Sequence, residues 1–169
     1  MPKQRRGADR DTVQVIIETP QGSRNKYKYH EASGRFGLDN VLPVGTVFPF
    51  NFGYVPETHA EDGDPIDVLV LMDEPAFVGC LVKVRLIGVL EATQAEKGGK
   101  PVRNDRLIAV AEKSHTHEDV TELKQINPTL VRQIENFFVA YNTGLGRRFE
   151  PLKWEGAKRA GELLEAAAR

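Results

Sequence analysis

Short alternating runs fill the first two thirds of the chain. Val13, Val15 and Ile17 alternate with Gln14, Ile16 and Glu18, the period-2 pattern of a strand with one buried face. Pro20 and Gly22 stop that strand. Lys26-Tyr27-Lys28-Tyr29-His30 alternates again and puts Lys26, Lys28 and His30 on one face. Gly34 and Gly37 mark turns. Phe50 to Pro56 is an aromatic stretch bounded by Gly and Pro. Asp67 to Met72 is an apolar run of the fully buried kind, Leu81 to Leu90 alternates loosely around Lys83 and Arg85, and Leu107 to Val110 is one more short strand. Between them, Glu96 to Asn104 is hydrophilic and Gly-rich and reads as a surface loop.

Helical spacing comes only afterwards. Leu130, Ile134, Phe137, Phe138 and Tyr141 fall on one helical face. Asn127 suits the cap, Pro128 the first turn and Gly144 the stop. Ala157 to Ala168, rich in Ala, Glu and Leu, predicts a second helix. Many strands followed by helices predict an α+β fold, a small β-barrel with helices packed on it. Residues 1–12, polar and of mixed charge, read as a flexible N-terminal tail, and 13–169 as a single domain.

Composition narrows the class. The chain has 169 residues, 23 Lys+Arg against 24 Asp+Glu, and 40% hydrophobic residues, enough for one well-filled core. Balanced charge argues against a dedicated nucleic-acid binder. No window approaches a membrane span, and the N-terminus lacks the apolar segment of a secretory signal, so a cytoplasmic protein is expected. Cys80 is the only cysteine, which excludes an intrachain disulfide and leaves it as a small apolar filler.

The candidate chemistry lies in Glu61-Asp62-Gly63-Asp64-Pro65-Ile66-Asp67. Asp62, Asp64 and Asp67 fall within six residues around a Gly and a Pro that enforce a turn. Carboxylates on a rigid turn can converge on a hard divalent cation. The ordinary alternative is a solvated acidic turn. Pro65 and the entry of Asp67 into buried sequence weigh against it. The spacing does not fit an EF-hand.

Asp62-Gly63-Asp64-Pro65-Ile66-Asp67 resembles the signature of the soluble family I inorganic pyrophosphatases. Other segments resemble the same family in order: Ile17-Glu18-Thr19-Pro20, Asn25-Lys26-Tyr27, Pro49-Phe50-Asn51-Phe52-Gly53-Tyr54, Val84 to Leu90, Leu107-Ile108-Ala109-Val110, and Phe137-Phe138 with Tyr141. The resemblance implies a closed five-stranded, OB-like barrel with flanking helices. It implies Mg²⁺-dependent hydrolysis of inorganic diphosphate in a cytoplasmic homo-oligomer, commonly a hexamer. It makes Asp62 and Asp67 metal ligands and Asp64 a general base close to the metal. Lys26 and Tyr141 become phosphate ligands, and Glu18 an orienting carboxylate.

Several positions depart from the family pattern. Lys28 stands where the family has Glu, Asn40 replaces an Arg, Phe52 a Tyr, and Asn142 a Lys. Gln94 and Asn104 fall where two acidic ligands are usual, and Arg106 at a Lys. Asp105 supplies a carboxylate if the 93–105 loop shifts by one residue. The acidic cage is thereby about four charges more positive than the pattern. Lys28 and Arg106 read as direct phosphate ligands. Fewer carboxylates mean fewer bound cations, so the leading expectation is Mg²⁺-dependent diphosphate hydrolysis with weakened turnover. Two rivals stand beside it: a remodelled pocket for an organic diphosphate, and a phosphate-binding relative without catalysis.

Overall fold

Five strands close into a ring. The computed structural model describes residues 12–168, so the tail expected over 1–12 lies, apart from Thr12, outside the described residues. In chain order the strands are β1 (Val13–Thr19), β2 (Asn25–His30), β3 (Arg35–Val41), β4 (Asn51–Tyr54), β5 (Asp67–Leu71), β6 (Leu81–Ala95), β7 (Val102–Arg103) and β8 (Arg106–Ala111). Helix α1 (Pro128–Gly144), strand β9 (Arg148–Gly156) and helix α2 (Ala157–Ala167) complete the described chain. The order β1-β4-β5-β8-β6 returns to β1 through pairs such as Val13 with Val84. This is the expected closed five-stranded barrel, and closure leaves the ring no free edge.

β5 and β8 run parallel, with Asp67 opposite Arg106 and Val68 opposite Leu107. Both are covered on both faces, which is why Val68 to Leu71 reads as an unbroken apolar run. Leu69, Leu71, Ile108 and Val110 pack with Ile134 and Phe138 of α1, while Val68, Val70, Leu107 and Ala109 pack with Ala160 of α2. Gly53 on β4 is set by contact: a Cβ there would lie 2.1 Å from the Ile16 carbonyl oxygen.

Both helices appear where their patterns place them. Asn127 Oδ1 accepts from the Thr129 amide at 2.9 Å, and Pro128 fills the first turn. Three expectations need correction. Gly34 turns the chain with φ 65°, but Gly37 lies inside β3, which pairs with β2 over its whole length. The hydrophilic loop is shorter than read, because β6 runs on to Ala95 and Val102 and Arg103 pair with Gln94 and Thr93. β9 was not foreseen at all. It lies along β6 with only Phe149 fully buried, and Pro151 sits where the register shifts, a place where a strand tolerates proline. Among the described residues no helix is long and apolar enough to cross a membrane.

Candidate active site

A cavity of about 970 Å³ opens between the barrel and the β2–β3 hairpin. Its acidic wall is the turn between β4 and β5. Thr58 Oγ1 donates to the Val55 carbonyl at 2.7 Å and accepts from the Ile66 amide at 3.0 Å. The Ala60 amide donates to the Asp64 carbonyl at 2.8 Å, and Gly63 takes φ 86°. Asp62 Oδ1 accepts from the Asp64 amide at 3.0 Å. These bonds fix the turn and bring Asp62, Asp64 and Asp67 to the cavity lining.

Alternation along β2 brings Lys26, Lys28 and His30 to the same cavity. Lys28 Nζ is 3.5 Å from Asp64 Oδ2, and Lys26 Nζ is 3.5 Å from Asp39 Oδ2 on β3. Lys26 also lies 5.8 Å from the centre of the Tyr141 ring. Among the described residues, the buried Tyr141 hydroxyl has no hydrogen-bond partner. Asp39 was missed in the sequence because β3 was read as turns; two strand-compatible runs joined at Gly34 were the available signal.

Glu18, near the end of β1, is buried at the cavity wall, where its Oε2 accepts from the Tyr29 amide at 2.8 Å. Burial pushes its carboxyl up to about 7, against the Tyr29 amide, which favours the charge. Asp67 adds to the rise, and Lys26 and Lys28 oppose it. Burial also raises Asp67, opposed by Arg106 and Lys26, and raises Asp62, opposed by the Asp64 amide. Lys26 is raised: burial disfavours its charge, but Tyr141, Asp67 and Asp39 outweigh that.

The third wall carries the departures from the family pattern. Arg106 Nη1 is 3.0 Å from Asp67 Oδ2 and also donates to the Asn104 carbonyl and side-chain oxygens. Arg106 Nη2 donates to Gln94 Oε1 at 3.2 Å, and Asn104 Nδ2 donates to the same oxygen at 3.1 Å. The guanidinium carbon lies 5.3 Å from the ring centres of Phe138 and Phe149, a cation–π arrangement. Phe52 packs on Phe48 and Phe138, and Asn142 Nδ2 donates to the Phe138 carbonyl. Asn40 Oδ1 accepts from the Val41 amide and stays outside the lining.

Asp105 does not join the site. Its side chain lies on the opposite face from Asn104 and Arg106, as strand alternation requires. It accepts from Arg103 Nε at 3.1 Å and from the Ala92 amide at 3.1 Å. The expectation that a one-residue shift would make it a metal ligand is therefore corrected. The register keeps Asn104 inward. Of the other expected site residues, Glu18, Lys26, Lys28, Asp62, Asp64, Asp67, Arg106 and Tyr141 all border the one cavity.

Among the described residues, no three His, Cys, Asp or Glu side chains form a group that could hold a metal ion by themselves. The acidic turn still fits Mg²⁺, which is commonly held by one or two carboxylates together with waters and substrate phosphates. The wall of Gln94, Asn104 and Arg106 does not fit a cation, since it offers neutral amides around a buried positive charge.

The family model for inorganic pyrophosphatases matches residues 15–169. The inorganic pyrophosphatase of Methanosarcina acetivorans is 35% identical over 159 residues, covering 94% of this chain and 92% of its own. That of Streptomyces coelicolor is 37% identical over 152 residues, covering 89% and 90%. The crystal structure of the Thermus thermophilus inorganic pyrophosphatase superposes with a TM-score of 0.85 at 30% identity, covering 95% of this chain and 91% of that one. Agreement over nearly the whole chain, in sequence and in fold alike, places the protein in the inorganic pyrophosphatase family.

Proposed function

We propose that the protein hydrolyses inorganic diphosphate to two phosphates with Mg²⁺, and that its turnover is weakened by the neutral amides at Gln94 and Asn104. The observation that carries this reading is one cavity lined both by the carboxylates Asp62, Asp64 and Asp67 and by the ammonium groups of Lys26 and Lys28. A substrate with charge on both phosphates needs cations against it, and its hydrolysis needs a proton acceptor beside the attacking water.

Asp62 and Asp67 would hold Mg²⁺. The bound ion would supply charge neutralisation on the phosphoryl oxygens and acidify a coordinated water. Asp64 takes the proton from the attacking water at its carboxylate, and the exposed Lys28 partner at 3.5 Å keeps that carboxylate turned toward the cavity. Lys26 binds a phosphate as a point charge, and the unpartnered Tyr141 hydroxyl donates to the same group. Arg106 borders the cavity, but it is 5% exposed and ion-paired to Asp67 at 3.0 Å, so it acts on the substrate through Asp67 and not as the direct phosphate ligand expected from the sequence. Glu18 holds the Tyr29 amide and so fixes β2 against β1.

The same reading carries a cytoplasmic homo-oligomer, a hexamer by family resemblance. Leu38, Val41, Val44 and Val47 expose apolar side chains along one stretch of chain, a surface that assembly would cover. Sedimentation of the full chain tests the oligomer. A substrate panel tests the chemistry: inorganic diphosphate turned over in preference to nucleoside diphosphates supports the reading, and the reverse preference assigns the pocket to organic diphosphates.

A further inference from the structure

From the wall built of Arg106, Asn104 and Gln94 we infer that the two neutral amides, held on the Arg106 guanidinium, leave Asp67 without a second metal site, so that the free protein binds no more than one divalent ion per chain in this cavity. The inference rests on the diphosphatase reading only in identifying the cavity as the place where cations are handled. Its support is geometric.

Asp67 and Arg106 are the first paired residues of two parallel strands, so the β5–β8 register delivers the guanidinium to the carboxylate. Nη1 sits 3.0 Å from Asp67 Oδ2. The remaining ring of partners is neutral: Nη1 also donates to Asn104 and Nη2 to Gln94. Phe138 and Phe149 flank the guanidinium at 5.3 Å each, leaving the Arg106 side chain 5% exposed. A positive charge buried this deeply is tolerated when it is paired and hydrogen-bonded, and here it is paired to a carboxylate that opens on the cavity. A divalent cation approaching Asp67 from this wall meets a fixed like charge and two amides whose side-chain oxygens already accept from Arg106. Hard-cation sites depend on ligand charge, and this wall contributes none. What remains for a metal is the outer side of Asp67 together with Asp62.

Titration of the full-length protein with Mg²⁺ by calorimetry, and with Mn²⁺ followed by electron paramagnetic resonance of the free ion, counts the bound ions directly. Wild type is expected to bind no more than one. The double variant Gln94→Glu/Asn104→Asp, which surrounds the guanidinium with negative charge, is expected to gain one ion. Arg106→Gln, which removes the fixed like charge, is expected to tighten Mg²⁺ at least about tenfold. Circular dichroism confirms that each variant is folded, and the wild-type count decides even if a variant is not. Two or more ions on wild type overturn the inference, as does an unchanged count in the folded double variant or an unchanged affinity in folded Arg106→Gln. Phosphate release separates the two readings. Turnover with two bound ions leaves the diphosphatase reading intact and ends this one; a single ion without turnover does the reverse.

Discussion

Asp67 and Arg106 face each other across the parallel β5–β8 pair, with Arg106 Nη1 3.0 Å from Asp67 Oδ2. One residue belongs to the acidic signature and the other begins a strand nearly forty residues later in the chain, yet the strand register makes them neighbours. The pair joins the barrel to the site: its positive member is buried between α1 and β9 aromatics, and its negative member opens on the cavity.

Removing the negative member leaves a buried guanidinium without its counter-charge. Asp67→Asn is therefore expected to destabilise the fold by about 3 kcal/mol, read as a lower urea midpoint with an unchanged slope. Asn keeps the shape and one acceptor, so the loss reports charge. A stability within about 0.5 kcal/mol of wild type would mean that Asn104 and Gln94 satisfy Arg106 without Asp67.

β4 and β1 approach closely at Gly53. Gly53→Ala would put a methyl group 2.1 Å from the Ile16 carbonyl oxygen, where only backbone can move. A loss of more than about 3 kcal/mol, or failure to fold, is expected. Thermal unfolding checks it, and a wild-type transition would show that β1 and β4 are farther apart than described.

Glu18 makes stability depend on pH. Its carboxyl is pushed up to about 7 by burial from an ordinary value of 4.5. The folded protein thus holds a proton there that the unfolded chain releases. That contribution is full below about pH 4.5 and is lost as pH rises through about 7. Glu18→Gln, which cannot ionise, is expected to gain in melting temperature relative to wild type between pH 5 and pH 8, measured without metal. A constant difference across that range would show that Glu18 is already ionised at pH 5.

Much of this arrangement was legible in the residues. The 3.6-residue spacing from Leu130 to Tyr141, with Asn127 and Gly144 at its ends, placed α1 because a helix packed on one face writes its period plainly. Lys26, Lys28 and His30 were placed on one face by alternation, and all three reach the cavity. β9 stayed hidden because it lies on the outside of β6 and buries little beyond Phe149. β3 stayed hidden because Gly37 resembles a turn but sits in a strand, opposite Lys28. Asp105 was misjudged because a loop of uncertain register cannot say which of two adjacent side chains faces inward. The pairing of Thr93 with Arg103 decides it. The Arg106–Asp67 pair was the least visible, since it depends on a parallel register between strands far apart in sequence.

The most direct measurement is phosphate release from inorganic diphosphate, with and without Mg²⁺, for wild type beside Asp64→Asn and the double variant Asp62→Asn/Asp67→Asn. Asp64 is more than half exposed, so its replacement is expected to leave the fold unchanged while lowering the rate by about 10²–10⁴. Mg²⁺-dependent release by wild type, reduced that far in Asp64→Asn and lost in the double variant, is the predicted result. Wild-type release no faster than that of the folded Asp64→Asn protein would contradict the account.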